Sequence, residues 1–120
     1  MGEALPIIMT DIQEIINELV NFRNERDWAQ FHDTKNLAVA LSIEAAELNE
    51  LFLWKDLKES DLVDKEKIKE ELADVFAYAF LIAEKQGLDV KQIVLDKIKR
   101  NGEKYPVDKA KGSSKKYNEL

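Results

Sequence analysis

Four carboxylates are the residues whose types and spacing could do chemistry. Glu44 and Glu47 form one pair at i, i+3, and Glu71 and Asp74 form a second. At about 100° per residue, helical positions three apart share a face, so each pair can aim two carboxylates at one object. Two facing helices would gather all four. The first stripe also carries Leu37, Ala40, Leu51 and Trp54, and the second carries Tyr78, Leu81 and Ile82. That apolar company puts the carboxylates at least partly indoors, where uncompensated charge costs several kcal/mol or shifts a pKa until the group is neutral. Oxygen ligands without sulfur or a nearby imidazole favour Mg²⁺, with Mn²⁺ able to substitute, and Mg²⁺ typically combines a few carboxylates with substrate phosphates. A solvated, salt-bridged surface competes with this reading, because Lys67 lies on the Glu71 face and such spacing is common in helices.

The elements that must position these residues are helices. Both prolines, Pro6 and Pro106, lie near the ends, so the stretch between them is free to be helical. The first helix is predicted to open at Thr10, where Thr10 and Gln13 make a capping-box pattern, and to fade near Arg26. Its apolar face holds Ile12, Ile15, Ile16, Leu19 and Phe22. The second starts after Asp33 or Thr34 and continues to about Leu53, with apolar residues pointing almost everywhere. Residues 55–64 read as a loop, after which Asp64 caps a third helix that Gly87 stops. Asp89 caps a fourth that runs to Asn101, with Gly102 as the left-handed residue that ends it. The fold class is therefore all-α with four helices. Residues 1–106 are expected to form one domain, and 107–120 a flexible lysine-rich tail with little apolar surface to bury.

Composition narrows the partners. Acidic residues number 24 against 18 basic ones, a net charge of -6 that disfavours nucleic acid as a ligand. The absence of cysteine removes disulfide frameworks, thiolate metal sites and cysteine nucleophiles, and suits a reducing cytoplasm. The start MGEALPIIMTD lacks a signal pattern, and no segment approaches the roughly 20 apolar residues of a membrane span. A soluble, cytoplasmic, unprocessed protein without a membrane partner is expected.

The run Ile43-Glu44-Ala45-Ala46-Glu47-Leu48, followed by Glu71-Leu72-Ala73-Asp74 with 23 residues between Glu47 and Glu71, resembles the E-E-x-x-E then E-x-x-D signature of MazG-like all-α pyrophosphohydrolases. The chain is more similar still to the dCTP pyrophosphatase branch through ERDWAQFHDTKNL (Glu25 to Leu37), ELNELFLWK (Glu47 to Lys55), EELADVFAY (Glu70 to Tyr78) and KIKRNGEKYP (Lys97 to Pro106). One departure is that Ile43 replaces the first glutamate of the signature.

The resemblance implies that Glu44, Glu47, Glu71 and Asp74 hold Mg²⁺ and are the catalytic residues. A metal-activated water would then cleave a nucleoside triphosphate, dCTP or a 5-modified dCTP, to monophosphate and pyrophosphate. It also implies that Lys97 and Asn101 contact phosphate and that Tyr105, with Lys104 a weaker candidate, closes over it. Trp28 and Trp54 offer flat faces for a base, and Tyr78, one turn beyond Asp74, can reach the sugar. His32, the only histidine, is expected near substrate rather than as a general base. Relatives build their sites at subunit interfaces, and the nearly all-round apolar second helix also calls for a partner, so a homodimer or homotetramer is expected. Other readings stay open: the same chemistry on another canonical or damaged nucleotide, or a non-enzymatic helical interaction module. A di-iron bundle needs Glu-x-x-His pairs, and Ala29 precedes His32 by three.

Overall fold

The computed structural model describes residues 8–120, and the readings of Pro6 and of the first seven residues lie outside it. Each long helix starts where a side-chain oxygen can satisfy an orphan backbone N–H. Helix α1 (Asp11–Glu25) has the expected reciprocal box: the Gln13 N–H donates to Thr10 Oγ1 at 3.2 Å and the Thr10 N–H donates to Gln13 Oε1 at 3.1 Å. Asp33 Oδ1 accepts from the Asn36 N–H at 2.7 Å to open α2 (Thr34–Glu50). Helix α3 (Leu57–Asp61) is short, α4 (Lys65–Lys85) starts at Asp64, and α5 (Val90–Lys104) starts at Asp89.

The described residues group into two compact units, one ending at Leu88 and one spanning Asp89–Leu120. In the first, α2 packs extensively on α4, and α1 also packs on α4. Leu37 on α2, with Leu81 and Ala83 on α4, is buried there. A 2.6 Å hydrogen bond from Gln86 Nε2 to Thr34 Oγ1 ties the end of α4 to the start of α2. Gly87 stops α4 as expected: at φ 64° it lets its own N–H reach the Glu84 carbonyl and the Leu88 N–H reach that of Ala83.

The second unit holds α5, α6 (Val107–Ala110) and a 3₁₀ turn at Tyr117–Glu119. The Tyr117 ring meets Tyr105 edge-on at 6.2 Å and lies 5.1 Å from Lys104 Nζ. Among the described residues all regular elements are helical, and none is long and apolar enough to cross a membrane.

Three boundaries differ from expectation. Residues 55–64 contain α3, because Asp56 and Glu59 form a capping box of their own. Helix α2 ends at Glu50 rather than Leu53, and the following turns put Trp54 at φ 63°. Gly102 does not end α5, which continues to Lys104 until Pro106 disfavours helical geometry at Tyr105.

Candidate active site

The pairing of α2 with α4 brings Glu44, Glu47 and Glu71 together, each offering a carboxylate oxygen within 4.8 Å of the other two. Oε2 of Glu44 and Oε2 of Glu71 are shielded from solvent and have no hydrogen-bond partner among the described residues. Burial, then the shared hydrogen bond and charge of Glu47, then the charges of Asp74 and Glu71, push the Glu44 carboxyl up to about 7. Burial raises Glu71 as well, reinforced by the hydrogen bond to Glu47 and the charges of Glu47, Asp74 and Glu70. The described ion pairs join Arg23 to Glu84, Arg26 to Glu25 and Lys69 to Glu66, so none neutralises this cluster and the Lys67 alternative is not what the structure forms. Crowded oxygens with unsatisfied lone pairs and no counter-charge fit a hard divalent cation.

Asp74 is exposed rather than buried, and it lines a cleft of about 260 Å³. That cleft is lined by Phe22, Arg23, Trp28, His32, Asp74 and Tyr78, together with the aliphatic parts of α1 and α4. Local chemistry at the end of α1 builds its aromatic wall. Asp27 takes φ 55°, a conformation aspartate tolerates, which turns the chain so that the Trp28 N–H donates back to the Arg23 carbonyl at 3.0 Å. The Trp28 indole then meets the Phe22 ring edge-on, with centroids 5.8 Å apart.

The polar members of the cleft are held in defined states. Arg23 crosses from α1 to α4, where its Nη1 donates to Glu84 Oε2 at 3.2 Å, and its side chain is only 12% exposed. Burial and the Arg23 charge lower the His32 pKa, and His32 Nδ1 is buried without a partner. Protonating it would enclose a cationic N–H with no acceptor, which favours the neutral ring. Burial, followed by the charges of Glu44, Asp74 and Glu47, raises the Tyr78 phenol. Tyr78 also lines a neighbouring cavity of about 320 Å³ with His32, Asn36 and Ile43.

Other expected site residues lie elsewhere. Trp54 is 91% exposed and lines neither cavity, contrary to its expected place indoors on the Glu44 stripe, because α2 has already ended. Lys97, Asn101 and Tyr105 belong to the second unit, where Lys97 lines a groove along α5 with Asp96 and Arg100. The sequence does not single out Arg23 or Asn36, and it marks Phe22 only as part of an apolar helix face. Arg23 did carry a signal: a cation one helical turn from Leu19, on the apolar face of the first helix.

An all-helical chain with clustered carboxylates beside an aromatic cleft is a recognisable class, and residues 39–120 match the MazG-like family. The chain belongs to that family. It is 37% identical over 114 residues to dCTP pyrophosphatase 1 of Mus musculus and 38% identical to that of Homo sapiens, each alignment covering 91% of this chain and 67% of the relative. Its fold is similar to that of a crystallised pyrophosphatase from Archaeoglobus fulgidus, with a TM-score of 0.79 and 34% identity, covering 86% of this chain and 99% of the other.

Proposed function

We propose that this chain converts a nucleoside triphosphate, dCTP or a 5-modified dCTP, to monophosphate and pyrophosphate with the help of Mg²⁺. The nucleotide pyrophosphatase class follows from the relatives named dCTP pyrophosphatase 1 and the pyrophosphatase with the same fold. The observation that carries the metal-dependent reading is the carboxylate cluster, whose partnerless buried oxygens lack a counter-charge and whose neighbour Asp74 opens onto an aromatic-walled cleft. Glu44, Glu47, Glu71 and Asp74 would hold the ions. Bound Mg²⁺ would supply the charge that offsets a triphosphate and would make a water acidic enough to attack it, with Mn²⁺ as a substitute.

The chain's own residues do the rest. Trp28 stacks on the base, neutral His32 hydrogen-bonds nearby, and Tyr78 packs against the sugar. Lys97, Asn101 and Tyr105 bind phosphate, and Trp54 completes the pocket of a partner subunit. We place the catalytic domain at residues 1–106, with 107–120 as a flexible lysine-rich tail, in a cytoplasmic homodimer or homotetramer that takes neither nucleic acid nor membrane as a partner. Val39 and Ile43 on α2 and Phe76 on α4 are each about half exposed, and apolar surface of this kind supports a covering subunit.

Incubation with each common nucleoside triphosphate and 5-methyl-dCTP, with and without Mg²⁺, followed by ion-exchange separation, tests the reaction. Monophosphate and intact pyrophosphate formed only with metal are expected. Diphosphate and phosphate, or turnover unaffected by chelator, would refute it.

A further inference from the structure

We infer that Arg23, pinned by Glu84, is a base-specificity residue that presents its N–H donors to the acceptor edge of a cytosine-type base in the Trp28 cleft. This rests on the nucleotide pyrophosphohydrolase reading and adds to it a residue that selects the base.

The argument starts from how the guanidinium is already engaged. Its Nε–H donates to Asn24 Oδ1 at 3.3 Å and one Nη1–H donates to Glu84 Oε2 at 3.2 Å. Of five N–H donors, three remain, on a side chain that is only 12% exposed and lines the cleft. Arg23 lines the cleft, so a molecule entering it can accept from those donors in place of water.

What it recognises follows from charge and surroundings. Phe22, Trp28 and Tyr78 give the cleft flat apolar walls, and its volume of about 260 Å³ suits one ring rather than a triphosphate. Glu84 already offsets the guanidinium charge, which makes Arg23 a poor phosphate anchor and leaves it a well-oriented donor toward neutral acceptors. A donor-only fork matches two adjacent acceptors. Cytosine offers them at N3 and O2, whereas uracil and thymine put an N–H at N3, so that a donor faces a donor and a bond is lost. Neutral His32, on the same cleft, can serve as a donor or an acceptor to the remaining polar atoms of the ring.

The test compares wild type, Arg23→Met, Arg23→Lys and Glu84→Gln in the full chain. Steady-state kinetics with dCTP, dUTP and dTTP are combined with calorimetric binding of dCMP and dUMP in the absence of metal, and with thermal melts. A charge-assisted hydrogen bond predicts a loss of about 10- to 100-fold in kcat/KM for dCTP in both Arg23 variants, mostly through KM, with dUTP and dTTP nearly unchanged. dCMP binding should weaken in parallel, and Glu84→Gln should show a smaller loss of the same selectivity. Arg23→Lys keeps the charge, so its failure to rescue separates a fork-shaped donor from a point charge. Equal losses on all three triphosphates would reassign Arg23 to phosphate binding or to structure and overturn the inference. Turnover with unchanged base preference would overturn it while leaving the pyrophosphohydrolase reading intact, whereas a wild type inert toward every nucleotide would remove both.

Discussion

Glu44 on α2 and Glu71 on α4 each hold an oxygen, Oε2, that is shielded from solvent and unpartnered among the described residues, and both carboxylates come within 4.8 Å of Glu47. The two helices are packed so as to concentrate like charge, an arrangement that weakens the protein until something positive joins it.

Replacing Glu44 or Glu71 with glutamine should therefore separate activity from stability. Turnover is expected to fall by about a hundredfold or more, since on the proposed reading each loss removes charge that would hold the metals against the triphosphate. The melting temperature at pH 8 should stay level or rise, because repulsion is relieved. Full activity in both variants would remove these residues from the site.

The raised carboxyls also set a pH dependence. The folded state holds a proton on Glu44 up to about 7, against 4.5 as the ordinary value, so it binds more protons than the unfolded chain across that window. Stability of the metal-free protein should fall as pH rises from about 4.5 through 7. Mg²⁺ needs the ionised carboxylates, so its affinity should rise over the same range and its binding should release protons. Melts in chelator from pH 5 to 8, repeated with Mg²⁺, check both signs.

Leu37 is 1% exposed, and alanine there should cost about 2–5 kcal/mol by lost burial and the cavity left behind. Leu62, 83% exposed, should change stability by less than about 0.5 kcal/mol when replaced by alanine. Denaturant titration of both variants makes the comparison.

Trp54 combines 91% exposure with φ 63°, a conformation that costs a non-glycine residue roughly 1–2 kcal/mol. Trp54→Gly should leave stability unchanged or slightly raised, yet increase KM if the indole serves a partner's pocket. Lost stability with unchanged KM would make it a structural residue.

Phe76 stacks on Phe80 at 6.0 Å between ring centroids while remaining 52% exposed. Light scattering on the eluting protein should give two or four copies, and Phe76→Asp should lower that mass. A wild-type monomer at micromolar concentration would refute the assembly.

Caps, stops and the carboxylate stripes were legible in the sequence, because a cap or an i, i+3 pair is decided within one helical turn. Thr10, Asp33, Asp64 and Asp89 open their helices where the residue types place them, and Gly87 ends one. The same kind of local signal, Asp56 with Glu59, opens α3 inside the expected loop, and Pro106 rather than Gly102 sets the end of α5.

The chain alone thus determined that there are helices, where most of them begin, and that Glu44, Glu47, Glu71 and Asp74 share faces. Only the tertiary structure decided that three of these carboxylates converge while Asp74 lines the cleft, that Arg23 reaches across to Glu84, and that Trp28 folds back beside Phe22 while Trp54 stands in solvent. Spacing along one helix states which residues are neighbours on its surface. Which of them meet residues from another helix depends on how α1, α2 and α4 pack, and that is settled by burial summed over whole faces.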